Sequence, residues 1–307
     1  MSLFSLIAVF LIEQFKPLDY RRIVAEPLSA WAAFVESRFN AGGRHHGLAA
    51  WMIAVAVPVV LLAIVYLALH ALNPLLGWVL NVGVLYLTMG FRQFSHHYTE
   101  IQLALRLGDL ERARLLLGEW QDRPTQGLSA GDVARLAIEG ALGASHRHVF
   151  AVLLWFVLLP GPCGALLYRL ALIVRDRWTA AEAAEHNEFA SFARQAFAVI
   201  DWLPQRTTAA AFAVVGDFED AVHCWRTQPA FWTERELGIV LASGAGALGV
   251  RLGGSVIDEG EVADRAELGL GDLADVDFMQ SAVGLVWRAT VLWMLLLFLL
   301  GLASLAG

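Results

Sequence analysis

The sequence is poor in charge and almost without cysteine. Asp, Glu, Lys and Arg together make up 17% of its 307 residues, while 58% are hydrophobic and the mean hydropathy is +0.57. A soluble domain carries about a quarter charged residues, so this composition excludes an ordinary soluble enzyme and requires a second solvent. The two cysteines, Cys163 and Cys224, are far apart and form no C-x-x-C spacing. That excludes a disulfide scaffold and a cysteine-based metal site. Net charge is −7 and no Lys/Arg block exceeds two residues, so there is no footprint for nucleic acid.

What is present is apolar and bunched. Leu48 to Leu72, Leu75 to Phe91, Val149 to Tyr168 and Ala289 to Ala306 are four runs free of Lys, Arg, Asp and Glu. A helix needs about 20 such residues to cross the hydrocarbon core. The expected fold is therefore an all-α, polytopic integral membrane protein with a cytoplasmic helical layer. Met1 to Ile12 is apolar but short, and lacks the cationic start and small-residue cleavage site of a signal peptide. It is expected to enter the membrane as part of an N-terminal segment, 1–47. Residues 13–47 form a basic linker carrying Lys16, Arg21, Arg22, Arg38 and Arg44.

The Asn73-Pro74 link joins 48–91 into a transmembrane hairpin. The positive-inside rule then assigns 13–47 and the arginine-rich 92–148 to the cytoplasm. The third apolar run continues to Val174 and is interrupted at Leu159-Pro160-Gly161-Pro162-Cys163-Gly164, which breaks a helix. Full crossing would put 169–288 outside. A re-entrant hairpin over 149–174 is the favoured alternative, because it returns 175–288 to the cytoplasm as a second helical segment. The C-terminal helix, 289–307, then spans. Two hexads, Gly108-Asp-Leu-Glu-Arg-Ala113 and Gly216-Asp-Phe-Glu-Asp-Ala221, read as helix–turn–helix corners with a glycine stop and an aspartate N-cap.

Chemistry-bearing residues are sparse. His45-His46 and His96-His97 are adjacent, so neither pair shares a helix face. His146 and His148 lack the Cys or Glu partners of a ligand set, and no metal site is expected. The run Ala245 to Gly254 contains Gly246, Gly249, Gly253 and Gly254 around Arg251. Such glycines permit either close backbone approach to a ligand or close helix packing, and the lone Arg suits a phosphate or carboxylate. It matches neither a P-loop nor a dinucleotide-binding fingerprint. No apolar run has a central ionisable residue, which argues against transport.

That glycine run resembles the "AGALGVRLGG" segment of the cobalamin-biosynthesis CobD/CbiB family, the adenosylcobinamide-phosphate synthases. Leu107 to Arg114, Leu128 to Arg135, Glu139, Ala151 to Trp155, Pro162 to Arg169 and Trp202 to Arg206 are similar to other family segments, in order and over nearly the whole chain. The resemblance implies an amide-forming step joining aminopropanol, or its phosphate, to a corrinoid carboxyl group, with ATP and Mg²⁺ required. It also implies acids that this sequence lacks. Of a family pattern like E-S-x-x-E-N-x-x-D only Glu139 remains, with Gly143, Ala144 and Arg147 at the later positions. Leu172, Ile173 and Arg175 stand where the family has Asn, Thr and Asp, and Glu26-Pro27 where it has His-Pro. A run from Trp232 to Leu237 replaces a Ser-Pro-Asn stretch.

These departures, with the Leu3-Phe4 opening and Asp201 to Arg206, are similar to the AmpE-like inner-membrane branch linked to β-lactamase regulation. The expectation is a degenerate synthase site on a regulatory or ligand-sensing protein of the inner membrane. Ligand contacts would fall at Gly246, Gly249, Arg251, Gly253 and Gly254, and a protein partner or second copy is implied alongside the lipid bilayer. The alternative is a divergent synthase, with Glu139, Asp217 or Glu219 supplying the acid and ATP, Mg²⁺ and a corrinoid bound.

Overall fold

The computed structural model describes residues 2–15, 20–180, 188–258, 261–263 and 265–306; Met1 and Lys16 of the N-terminal segment lie outside them. The described residues are mostly helical, as the apolar runs lead one to expect. The chain divides into two compact units, Met1–Gly90 with Ala151–Pro204 and Phe91–Phe150 with Gln205–Gly307.

In the first unit, α1 (Ser2–Phe15), α2 (Glu26–Phe39), α3 (Arg44–Trp51), α4 (Val57–Leu72) and α5 (Pro74–Thr88) are followed by α9 (Ala151–Leu158), α10 (Cys163–Thr179) and the start of α11 (Glu188–Val215). A π-helical turn, Met52–Ala56, joins α3 and α4 into one run from Arg44 to Leu72. Asn73 ends it and caps α5, its Oδ1 accepting the Leu75 N–H at 2.9 Å, with Pro74 at the first helical position. The two helices pack together as the Asn-Pro link implies. α10 is the centre of the unit and packs on α2, α4, α5 and α9. Its Trp178 lies 4.6 Å from the Phe189 ring and donates to the Ala32 carbonyl at 3.1 Å. The Pro-Gly-Pro stretch ends α9, and Gly161 takes φ +65 in the turn. α10 then packs back against α9, so closely that a Cβ on Gly164 would sit 1.8 Å from the Trp155 carbonyl oxygen.

Pro58 and Pro204 lie inside helical runs, and each costs a backbone donor. Pro58 cannot bond the Ala54 carbonyl and Pro204 cannot bond the Ile200 carbonyl, four residues back in each case. In both places a tryptophan supplies the missing donor: Trp31 Nε1 reaches Ala54 O at 3.2 Å, and Trp155 Nε1 reaches Ile200 O at 3.1 Å.

The second unit contains α6 (Phe91–Arg106), α7 (Leu110–Gln121), α8 (Ala130–Ser145), the end of α11, α12 (Phe218–Thr227), α13 (Arg235–Leu248) and α14 (Val276–Ala306). α8 packs on α6, α7, α13 and α14, and begins at a Ser129–Asp132 capping box. Tyr98 is buried and donates to the Met279 carbonyl at 2.8 Å; burial pushes its phenol well above the usual range. The first glycine–aspartate corner has the expected geometry, with Gly108 at φ +75 and Asp109 capping Arg112. At the second, Asp217 caps Asp220, but Gly216 serves a different end: a Cβ there would meet Ala247 Cβ at 2.6 Å.

The 175–288 segment, expected to be helical, also holds, among its described residues, five short strands: β1 (Val250–Gly253), β2 (Val256–Asp258), β3 (Glu261–Ala263), β4 (Glu267–Leu268) and β5 (Asp272–Leu273). β1 pairs antiparallel with β4, Leu252 opposite Leu268, and parallel with β5, Val250 opposite Asp272. Strands of two to four residues are too short to reveal a period-2 pattern.

Among the described residues three helical runs are long and apolar enough to cross a bilayer: Arg44–Leu72, Ala130–Leu158 and Val276–Ala303. Their coverage differs. Only 11% of the apolar window of Arg44–Leu72 is buried within the protein, against 67% for Ala130–Leu158. The first therefore presents its side chains outward, while the second is largely wrapped by the protein itself. α5, expected to span, has 15 residues and rises about 22 Å, short of the roughly 30 Å hydrocarbon core.

Candidate functional site

The sequence-identified acid Glu139 lies on α8 with its side chain almost wholly buried, and both carboxylate oxygens are engaged. Oε1 accepts the Gly253 N–H at 2.8 Å and Arg265 Nη2 at 3.2 Å, while Oε2 accepts Arg265 Nη1 at 2.9 Å. The Arg265 guanidinium also lies 5.1 Å from the centre of the Trp232 ring, a cation–π contact that fixes its plane. One turn before Glu139, Arg135 donates to the Gly253 carbonyl, to Ser255 O at 2.9 Å and to Asp132 at 2.9 Å. Two residues of one α8 face thus hold the N–H and the C=O of the same residue, Gly253, at the end of β1.

The glycines explain why the chain can be gripped there. Gly253 and Gly254 both adopt φ +75, a conformation L side chains rarely take. A Cβ on Gly253 would sit 2.0 Å from the Ala266 carbonyl oxygen, and one on Gly254 would meet Arg135 Nη1 at 2.8 Å.

The structure brings Glu139, Gly253 and Gly254 together and separates the remaining sequence candidates. Gly246 faces α12, where a Cβ would lie 2.6 Å from Asp220 O, so its part is close helix packing. Gly249 is the left-handed cap that ends α13, with open space beside it. Arg251 follows on β1 with its side chain exposed. Asp217 caps α12 and Glu219 is exposed in its first turn, the ordinary places for acids at a helix start.

Arg135, Arg265 and Trp232 are the additions. Arg135 precedes Glu139 by one turn, and that spacing was legible. Arg265 is 126 residues away in sequence and carries no local signal.

Glu139, Gly143 and Arg147 recur at four-residue spacing and share a face of the Ala130–Leu158 helix. Opposite that face lies the run from Trp232 to Leu237. Gly143 packs against Leu237, and Arg147 forms an ion pair with Glu234. Two stretches that depart from the resembled family pattern therefore meet each other. With Glu139 committed to Arg265 and Gly253, the acid set for Mg²⁺ does not assemble. Among the described residues no three His, Cys, Asp or Glu side chains lie close enough to share a metal ion. The described residues do not fit a magnesium site of the kind the resemblance implies.

A second polar cluster lies inside the first unit. Tyr168 donates to Asp201 Oδ1 at 2.9 Å, and the buried Arg169 guanidinium sits 4.6 Å from the Tyr20 ring. Burial raises the Tyr20 phenol and the neighbouring Arg169 partly offsets it. In the second unit, burial pushes the Cys224 thiol up to about 11, which disfavours the reactive thiolate.

No solved structure matches the chain. A family model described as CobD/Cbib protein matches residues 23–286. The protein is similar to a cobalamin biosynthesis protein CobD of Stutzerimonas stutzeri, 36% identical over 89% of this chain and 90% of the relative. A CobD of Chromobacterium violaceum is 37% identical over 72% and 70% of the two chains. Cobalamin biosynthesis protein CbiB of Salmonella typhimurium is 24% identical over 74% and 72%. With a family match across most of its length and a relative at this identity, the chain belongs to the CobD/CbiB family.

Proposed function

We propose that this protein is a multi-pass inner-membrane enzyme of cobalamin biosynthesis, an adenosylcobinamide-phosphate synthase that joins aminopropanol or its phosphate to a corrinoid carboxyl group. The observation carrying this reading is the alignment with nine-tenths of a relative named for cobalamin biosynthesis. Glu139 is a positioning residue in it, because both its oxygens are engaged by Arg265 and the Gly253 N–H. The Arg135–Glu139–Arg265 lattice holds the β1 end rigid, and the exposed Arg251 on the same strand is the cation offered to an anionic substrate group.

A second reading has its own observation. Arg147 and Glu234 neutralise each other where the resemblance implies metal-binding acids and amides. This favours an AmpE-like protein that keeps the scaffold for regulation or ligand sensing without turnover. Complementation separates the two. In a corrinoid auxotroph lacking its own synthase, the chain is expected to restore growth on cobyric acid. Accumulation of the protein in the membrane without growth would leave the second reading standing.

The proposed topology keeps 13–47, 92–148 and 175–288 cytoplasmic, with 149–174 as a re-entrant hairpin. The Pro-Gly-Pro turn and the tight α9–α10 packing support it. A reporter active only in the cytoplasm, fused after residue 190, is expected to be active; a periplasmic signal there would require 149–168 to cross.

A further inference from the structure

The geometry points to the helix formed by Arg21–Ala25 and α2 lying in the plane of the membrane, with an aromatic stripe sunk into the boundary between lipid headgroups and acyl chains. Nothing in the catalytic reading requires this, and its test is independent of that reading.

One face of the helix is spoken for. Val24, Ala32 and Val35 are buried, α2 packs on α10, and the Ala32 carbonyl accepts the Trp178 indole. Another face is apolar and bare. Ile23, Pro27, Ala30 and Phe34 recur at helical spacing and are exposed, with Ile23 and Phe34 more than half accessible. Trp31 flanks the stripe, 6.0 Å from the Phe34 ring, and the Arg38 guanidinium lies 5.6 Å from the same ring. A soluble surface seldom leaves this many large apolar groups in line.

The occupant follows from what borders the stripe. The Trp31 indole is bonded to Ala54, inside the Arg44–Leu72 run whose apolar window is only 11% buried. The stripe therefore continues the outward-facing surface of a helix that is itself long and apolar enough to span. Its ends are cationic, with Arg21 and Arg22 at one and Arg38 at the other, followed by Arg44 at the start of the span. Aromatic rings beside arginines are what the interface between anionic headgroups and acyl chains selects. The helix cannot stand upright in that layer. Its 19 residues would then carry Glu26 and Glu36 into hydrocarbon, whereas lying flat keeps both off the sunken stripe.

The test uses the full chain with Cys163 and Cys224 replaced by alanine, reconstituted in vesicles of phosphatidylethanolamine and phosphatidylglycerol. Single cysteines at positions 23, 34 and 26 carry a nitroxide label. At Ile23 and Phe34 collision with oxygen is expected to exceed collision with a water-soluble nickel chelate several-fold, and at Glu26 the order reverses. Nickel access at 23 and 34 equal to that at 26 would mean that the stripe faces water. Low collision with both reagents would mean that a protein surface covers it. Either result overturns the assignment.

Discussion

Replacing Glu139 by alanine is expected to destabilise the second unit by about 3–5 kcal/mol, the range for removing one partner of a buried ion pair. The carboxylate is 8% exposed and is the acceptor for both Arg265 nitrogens and the Gly253 N–H. Alanine leaves a guanidinium of low accessibility without its counter-charge and a buried backbone donor without an acceptor. Glutamine is expected to fall between. Its carbonyl keeps the Gly253 bond, but its amide presents donors to a group that has only donors. The double variant Glu139→Ala/Arg265→Ala removes the stranded cation, so its loss should be smaller than the sum of the two single losses by about 1–3 kcal/mol. Thermal midpoints of the purified chain in detergent read all three. A Glu139→Ala midpoint matching the unaltered protein would show that the lattice does not hold the β1 end.

Gly164→Ala is expected to be as damaging, through sterics alone. The new Cβ would lie 1.8 Å from the Trp155 carbonyl oxygen and 2.4 Å from its carbon. Both obstacles are backbone, so no rotamer change relieves the clash; α9 and α10 must part. A loss of about 3 kcal/mol, the upper part of the usual overpacking range, and poor accumulation in the membrane follow. Gly284→Ala is the control. Nothing lies within 4 Å of its Cβ position and it sits within α14, so alanine there should be neutral or stabilising by up to about 1 kcal/mol. Equal midpoints for the two variants would sink the close hairpin.

The long uncharged runs made α4 and the end of α14 legible, and the proline-glycine break made the α9–α10 turn legible. The length of the Ala130–Leu158 helix stayed hidden for a physical reason. Arg135, Glu139 and Arg147 interrupt its apolar run in the sequence, whereas a charge counts against a packed helix only while it lacks a partner. Here all three are paired, with Gly253, Arg265 and Glu234 among the partners. Half the candidate site was legible for the converse reason. Glu139 and the Gly253-Gly254 pair stand out as residue types, whereas Arg265 acquires meaning only when the strands fold back on α8. The sequence groups Gly246, Gly249, Arg251, Gly253 and Gly254 as contacts for one ligand, yet the left-handed turn at Gly249 separates Gly246, in a helix contact, from the exposed Arg251. Adjacency in sequence is a poor guide wherever a chain reverses between two residues.

The two proline-deprived carbonyls bear on how this chain is made. Trp31 precedes Ala54, whose carbonyl it serves, by 23 positions, and Trp155 precedes Ile200 by 45. As each interrupted helix leaves the ribosome, its indole donor has already been synthesised and is within reach. For Ala54, which lies in a run long and apolar enough to span, a bare carbonyl in lipid costs several kcal/mol, and a donor encoded downstream would leave that cost standing until later segments arrived. The order of the letters thus spares the Arg44–Leu72 run a period of exposure during insertion. Moving Trp31 C-terminal to Pro58 would forfeit that protection even if the finished fold were the same.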